Sequence, residues 1–208
     1  MIKCKYQLIK PIKIGVKILK NDLRIEKTRN LIIETFKTLL CEKDYEDITI
    51  KELTEKAKIN KSTFYRHYSS LDKLMDTLQD EIVYEFMKRI ADYKVPEQLE
   101  EINKEFFLFS EENDKIYEKM IFNKNYEYLK QKTINNFMNK VWKSSEFFKK
   151  LSAGKKNIFL TYIQTTGLEI YKQWVLDNKK IPLEEIIELS NRIICDGVQV
   201  FLEDNKNF

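Results

Sequence analysis

Histidine is almost missing from this chain: His67 is the only one in 208 residues. Without a second His, a Cys–His pair or a metal-ligand cluster, the common nucleophilic and metal-assisted active sites lack their parts. Glycine is scarce too, with four residues, and none is arranged as a phosphate-cradling loop. The 33 acids offer no spacing that selects a catalytic pair. Catalytic residues, a metal site and a cofactor are therefore not expected, and neither is enzymatic activity. Cys4, Cys41 and Cys195 lie far apart, with no metal-ligand spacing and no disulfide framework, which suits reduced thiols in a cytoplasmic protein. No apolar run approaches a membrane span. Lysines interrupt every apolar stretch of residues 1–20, so that segment does not read as a signal peptide, and no membrane partner is expected. Three prolines, few glycines and no extended β-rich run point to an all-α fold of one large or two small domains.

What the chain does have is concentrated at residues 49–75, TIKELTEKAKINKSTFYRHYSSLDKLM. Thr49 is a good N-cap, and Glu52 three residues later has capping-box spacing. Leu53 and Ala57 share a face, and Ala57 is small enough for a close helix crossing. Lys58-Ile59-Asn60 reads as a turn, with Asn60 capping the next helix. That helix, from Lys61 to Tyr68, puts Phe64 and Tyr68 on one face as anchors and leaves Lys61, Ser62, Thr63, Tyr65, Arg66 and His67 largely outward. Hydroxyls can bond base edges or phosphates, and Arg can pair with guanine through two hydrogen bonds. Tyr and Lys commonly hold phosphates. Lys58, Lys61 and Arg66 carry positive charge, with no acid between Glu55 and Asp72. The arrangement suits a helix that enters the major groove. The net charge of +4 is uneven: residues 1–80 hold 17 Lys and Arg against 12 acids, and residues 81–208 hold 20 against 21. A basic head on a near-neutral body fits this reading, although a lysine-rich surface alone would give the same composition.

This segment, with the helix before it, resembles the DNA-binding domain of the TetR family of bacterial transcriptional regulators. The likeness covers about residues 24–80. It runs from the basic start Arg24 to Arg29, through Asp44-Tyr45 and Thr49, to the recognition-helix pattern Lys61-Ser62-Thr63-Phe64-Tyr65-Arg66-His67-Tyr68. A weaker similarity at about 155–195, including GLEIYKQWVLDNKKIPLEEI, is to the C-terminal domain of a Firmicutes-type branch of the family. Two departures stand out. The turn position often held by Gly is Lys58, and the Lys often found just inside the fourth helix is replaced by Leu71, with Lys73 as a substitute phosphate contact. The resemblance implies an N-terminal three-helix DNA-binding domain with a helix-turn-helix, then a C-terminal helical ligand-binding and dimerisation domain, about nine helices in all. It divides the chain into a flexible basic extension (1–22), the DNA-binding domain (23–70) and the regulatory body (71–208). The DNA contacts it implies are Lys27, Thr49, Lys61, Ser62, Thr63, Tyr65, Arg66, His67 and Lys73.

Periodicity fills in the rest. The first helix spans about Leu23 to Cys41, with Ile32, Phe36, Leu39 and Leu40 inward. The fourth begins at Ser69 or Ser70, with a stripe from Leu74 to Ile90. A further helix follows Pro96, short helices lie near 114–122, and a longer one is expected near 125–148. Gly154 falls in a break before a helix at 155–177. Pro182 opens the last helix, with Ile186, Leu189, Ile193 and Val200 expected inward. The body is rich in aromatics, and Phe106, Phe109, Tyr126, Phe137, Tyr162 and Trp174 are candidates to line an effector pocket, though such residues are more often plain core. Such a lining calls for an apolar or aromatic effector. By resemblance, the last two helices form a homodimer interface that includes Gly167, Ile170 and Ile193; a tight intramolecular crossing would use Gly167 as well. The implied function is a homodimeric, ligand-responsive repressor on a palindromic operator in double-stranded DNA. The alternative is the same fold acting as a coactivator or adaptor through the body.

Overall fold

A computed structural model of the chain describes residues 20–122, 138 and 141–204. The expected extension at 1–22 falls almost wholly outside these residues, as do Cys4, Tyr126, Phe137 and most of the helix expected at 125–148. Nine α-helices and no strand occur among the described residues. They are α1 (Lys20–Glu42), α2 (Ile50–Lys56), α3 (Lys61–His67), α4 (Leu71–Arg89), α5 (Leu99–Glu112), α6 (Asp114–Ile121), α7 (Glu146–Lys150), α8 (Ala153–Leu176) and α9 (Leu183–Asp204).

The head is α1 to α3 with the start of α4. Helix α1 buries Ile32, Phe36, Leu39 and Leu40 completely or nearly so, against Leu53 of α2 and Phe64 of α3. A 3-10 turn at Tyr45–Asp47 joins α1 to α2. Tyr45 packs edge-on to Phe36 and donates its hydroxyl to Asp72, which ties the turn to α4. Thr49 accepts a hydrogen bond from the Glu52 amide as an N-cap should. The capping box is only half made, because the Glu52 carboxylate pairs with Lys43, just past the end of α1, at 2.8 Å instead of turning back on Thr49. Asn60 makes no side-chain cap bond; its carbonyl accepts from the Thr63 and Phe64 amides. Ser70 does cap α4, accepting from the Lys73 amide at 3.2 Å.

The turn between α2 and α3 is a Schellman motif. The Ile59 amide bonds to the Thr54 carbonyl and the Lys58 amide to the Glu55 carbonyl, with Lys58 at φ 53°. Lys58 therefore occupies the left-handed position for which glycine is suited.

In the body, α5 packs on α9 and α4, α9 on α8, and α6 reaches both α1 and α8. Two apolar clusters form. One runs without a break from the head through Phe107, Ile116, Met120 and Tyr171. The other gathers Leu99, Trp142, Phe148, Phe159 and Val198. The segment that ends at Trp142 stops there: the chain turns at 143–145, and α7 folds back so that Phe147 and Phe148 meet Phe159. Gly154 lies inside the first turn of α8, and the N-cap is Ser152.

Helix α9 differs from expectation. Ile186, Ile187, Ser190, Ile194 and Val198 face the core. Leu189, Ile193 and Val200 are 44%, 42% and 65% exposed. The helix is apolar on two faces, so its periodicity alone could not say which turns inward, and the buried Ser190 disguised the true inner face.

Candidate functional site

Helix α3 is held by its apolar side. Phe64 is fully buried and Tyr68 nearly so, in tilted contact with one another. The Arg29–Glu81 pair at 2.7 Å holds α1 to α4 beside Tyr68. Lys61, Ser62, Tyr65 and Arg66 are exposed, Tyr65 at 55%, and Thr63 is half-buried. Lys58, Lys61 and Arg66 make no ion pair with any described residue, so this edge carries uncompensated positive charge. Lys27 and Thr49 are exposed as well. Lys73 is exposed but paired with Asp76 at 2.9 Å, one turn along α4. An exposed pair of this kind is weak and could yield to a phosphate. His67 is set differently from the rest. Its Nε2 is buried and bonded to no described residue. Burial lowers its pKa, and the nearby Arg66 and Arg29 lower it further. Its ring belongs to the packing under α3 more than to the outer face.

In the body, a cavity of about 150 Å³ lies at the seam between the two apolar clusters. Helix α4 supplies Ile82 and Phe86, and α5 supplies Phe106 and Phe109. Tyr117, Trp142, Ile163 and Ile194 close other sides. Phe106 and Phe109 are on its wall. Tyr162 and Trp174 do not line this cavity. The Tyr162 hydroxyl crosses to α9 and donates to the Ile193 carbonyl, with its ring over Gly197. Trp174 packs against Phe107 and Tyr171, and its indole N–H donates to the Ile181 carbonyl at 2.7 Å. Each aromatic tip found a polar partner elsewhere, which helical spacing could not foretell. Trp142, which was not among the candidates, is the indole on the wall.

Two polar residues on the wall carried no sequence signal beyond a polar letter beside an apolar stripe. Asn103 is fully engaged: its amide donates to Ser190 at 3.1 Å and to Asn191 at 2.7 Å. Gln164 keeps a buried Nε2 without a hydrogen-bond partner among the described residues.

Gly167 is corrected as an interface residue. It is buried within the body, where an added Cβ would stand 3.3 Å from Asn103 Oδ1 and 3.7 Å from Ile194. The close approach it permits is between α8, α5 and α9 of one chain. Ile170 packs partly against the first cluster, and Ile193 lies on the outer face of α9. Cys41 and Cys195 are half-buried. No group of His, Cys, Asp or Glu among the described residues could hold a metal, and none of the described helices is long and apolar enough to cross a membrane.

Residues 32–78 match the sequence model of the bacterial regulatory proteins of the tetR family. An uncharacterised HTH-type transcriptional regulator of Bacillus subtilis, YxbF, is 40% identical over 58 residues, which are 27% of this chain and 15% of that protein. Solved structures extend the likeness to the body. A TetR transcriptional regulator from Streptococcus agalactiae superposes with a TM-score of 0.64 at 19% identity, over 84% of this chain and 97% of that one. NalD, a secondary repressor of the MexAB-OprM multidrug efflux pump in Pseudomonas aeruginosa, gives 0.63 at 16% identity, over 84% and 96%. Residues 32–78 thus match the helix-turn-helix domain of the tetR family in sequence, and the chain as a whole shares the fold of solved TetR-type regulators.

Proposed function

We propose that this protein is a homodimeric, ligand-responsive repressor that binds a palindromic operator through α3. The observation that carries this reading is the division of α3: Phe64 and Tyr68 lock one side into the head, while Lys61, Ser62, Tyr65 and Arg66 project from the other. Arg66 and Thr63 are the residues proposed to read base edges, and Lys61, Tyr65, Lys58 and Lys27 to hold phosphates. One short helix reads only a few base pairs, so adequate specificity needs two heads, spaced about 34–36 Å or a multiple of it along a pseudo-palindrome. The outer stripe of α9, with Leu189, Ile193 and Val200, offers a second copy an apolar face. Phe122, at the C-terminal cap of α6, is 41% exposed and is the described residue an adaptor surface in that region would use.

Helix α6 supports the ligand-responsive part. Tyr117 is on the cavity wall, while Ile116, Met120 and Ile121 of the same helix join the core shared with α1. Lys119 pairs with Asp44 in the head. A ligand that fits the cavity better in one head spacing biases the dimer toward that spacing. Full release needs a preference of roughly 5 kcal/mol between the two states. The sense of repression follows the fold likeness to NalD.

The test is binding of the full chain to fragments of its own genome at moderate salt, read by mobility shift and anisotropy. Arg66→Ala and Thr63→Ala should relax preference at individual base pairs, at a cost of about 1–3 kcal/mol for a two-bond contact. Tyr65→Phe should weaken all sequences alike. Ile193→Glu should lower dimer content and DNA affinity together. Absence of any specifically retained fragment would sink the reading.

A further inference from the structure

We infer that the body cavity takes an uncharged, one-ring aromatic compound with a single acceptor oxygen, bound by the Gln164 amide. This assignment rests on reading the cavity as the effector site and names its chemistry.

Size sets the first limit. A cavity of about 150 Å³ holds one benzene-sized ring when its walls are apolar. The wall sets the second. Phe86, Phe106 and Phe109 surround the space, with Phe86 in edge or tilted contact with the other two. Trp142 closes another side. Aromatic rings favour edge-to-face contact with a further ring. Met87 and Met138 are also on the wall and can adapt to substituents.

Charge sets the third limit. None of the described wall residues is ionisable as an acid or base of the Asp, Glu, Lys, Arg or His type. A carboxylate or ammonium would lose its water there and find no counter-ion.

The polar atoms orient the ring. Asn103 is already saturated by Ser190 and Asn191, so it has no donor to spare. Gln164 is the opposite case: its Nε2 is buried, unpartnered among the described residues and on the wall. Buried donors are normally paired, and an orphan on a cavity wall is matched by an acceptor on the occupant. A ketone or aldehyde oxygen on the ring satisfies it without adding charge.

The experiment uses the full chain and three probes of similar shape: acetophenone, ethylbenzene and benzoate. Binding is measured by calorimetry on the unaltered protein and by Trp142 emission in Trp174→Phe, which removes the indole that is off the wall. Acetophenone should bind saturably and perturb Trp142. Ethylbenzene should bind about tenfold more weakly, as expected for one lost hydrogen bond. Benzoate should not bind at millimolar concentration. Gln164→Leu should erase the preference for acetophenone over ethylbenzene while both still bind. Benzoate binding as tightly as acetophenone, a preference that survives Gln164→Leu, or no binding of any probe overturns the assignment. Operator binding is measured separately. A protein that binds its operator but none of the probes fails only this assignment, whereas one that binds acetophenone but no DNA fails only the regulator reading.

Discussion

Lys58 shows how one residue can carry a cost that its neighbours make unavoidable. The Schellman bonds of Ile59 and Lys58 end α2 and set the crossing of α3, and they require the left-handed backbone that Lys58 adopts. A side chain with a Cβ is disfavoured there by about 1–2 kcal/mol relative to glycine, partly offset by the greater unfolded-state freedom of glycine. Lys58→Gly should therefore raise stability by about 0.5–1 kcal/mol, read from the urea midpoint at constant slope. His67 carries a second, pH-dependent cost. Burial lowers its pKa below the ordinary 6.5, with Arg66 and Arg29 adding to the effect. Between the folded pKa and 6.5 the unfolded chain binds more protons than the folded one, so stability rises with pH in that window. The penalty is absent well above 6.5, grows as pH falls through it, and is complete below the folded pKa. His67→Gln should flatten this part of the stability profile just below pH 6.5, and an unchanged slope would refute the assignment.

At the scale of elements, α8 and α9 are joined by a contact that only glycine allows. A Cβ on Gly197 would fall 2.0 Å from the Tyr162 hydroxyl and 2.2 Å from its ring carbon. Gly197→Ala must therefore turn the Tyr162 ring away, and the hydroxyl loses the Ile193 and Ile194 carbonyls. Overpacking of this kind costs about 1–3 kcal/mol. Thermal melts should show that loss in Gly197→Ala, and the Tyr162→Phe, Gly197→Ala double variant should keep most of it, because the ring carbon at 2.2 Å remains. Gly167 belongs to the same class. Its sequence context allowed a crossing between chains or within one, and the neighbour it admits is Asn103 of the same chain. The pattern of small residues signals a close crossing and is silent on whether the crossing lies within or between chains.

For the whole molecule, the consequence of interest is that head and body share one core. Met120 of α6 is fully buried in the cluster that also holds Phe36 and Leu39 of α1. Met120→Ala should cost about 2–5 kcal/mol. It should do so without splitting the transition, because the cluster has no boundary at which the head could unfold alone. Both tryptophans lie in the body, so coincident denaturation curves by indole emission and far-ultraviolet dichroism check this. Separate transitions would show that the head is an independent unit.

Residues 49–75 determined the head almost by themselves, because capping, short helices and a tight turn are local physics. Phe64 and Tyr68 were legible as anchors for the same reason: they stand four apart on a short helix with polar residues between. Even there, long-range partners decided some details, as when Lys43 drew Glu52 away from its cap. The body depended more on such partners. Sequence marked it as helical and aromatic, but several apolar faces competed for one interior. Only packing decided that Ile194 turns inward and Ile193 outward, that Trp142 and not Trp174 borders the cavity, and that Asn103 is saturated while the Gln164 donor has no partner among the described residues. A helical period ranks residues around one axis, whereas a cavity is made where several axes fail to fill the space between them.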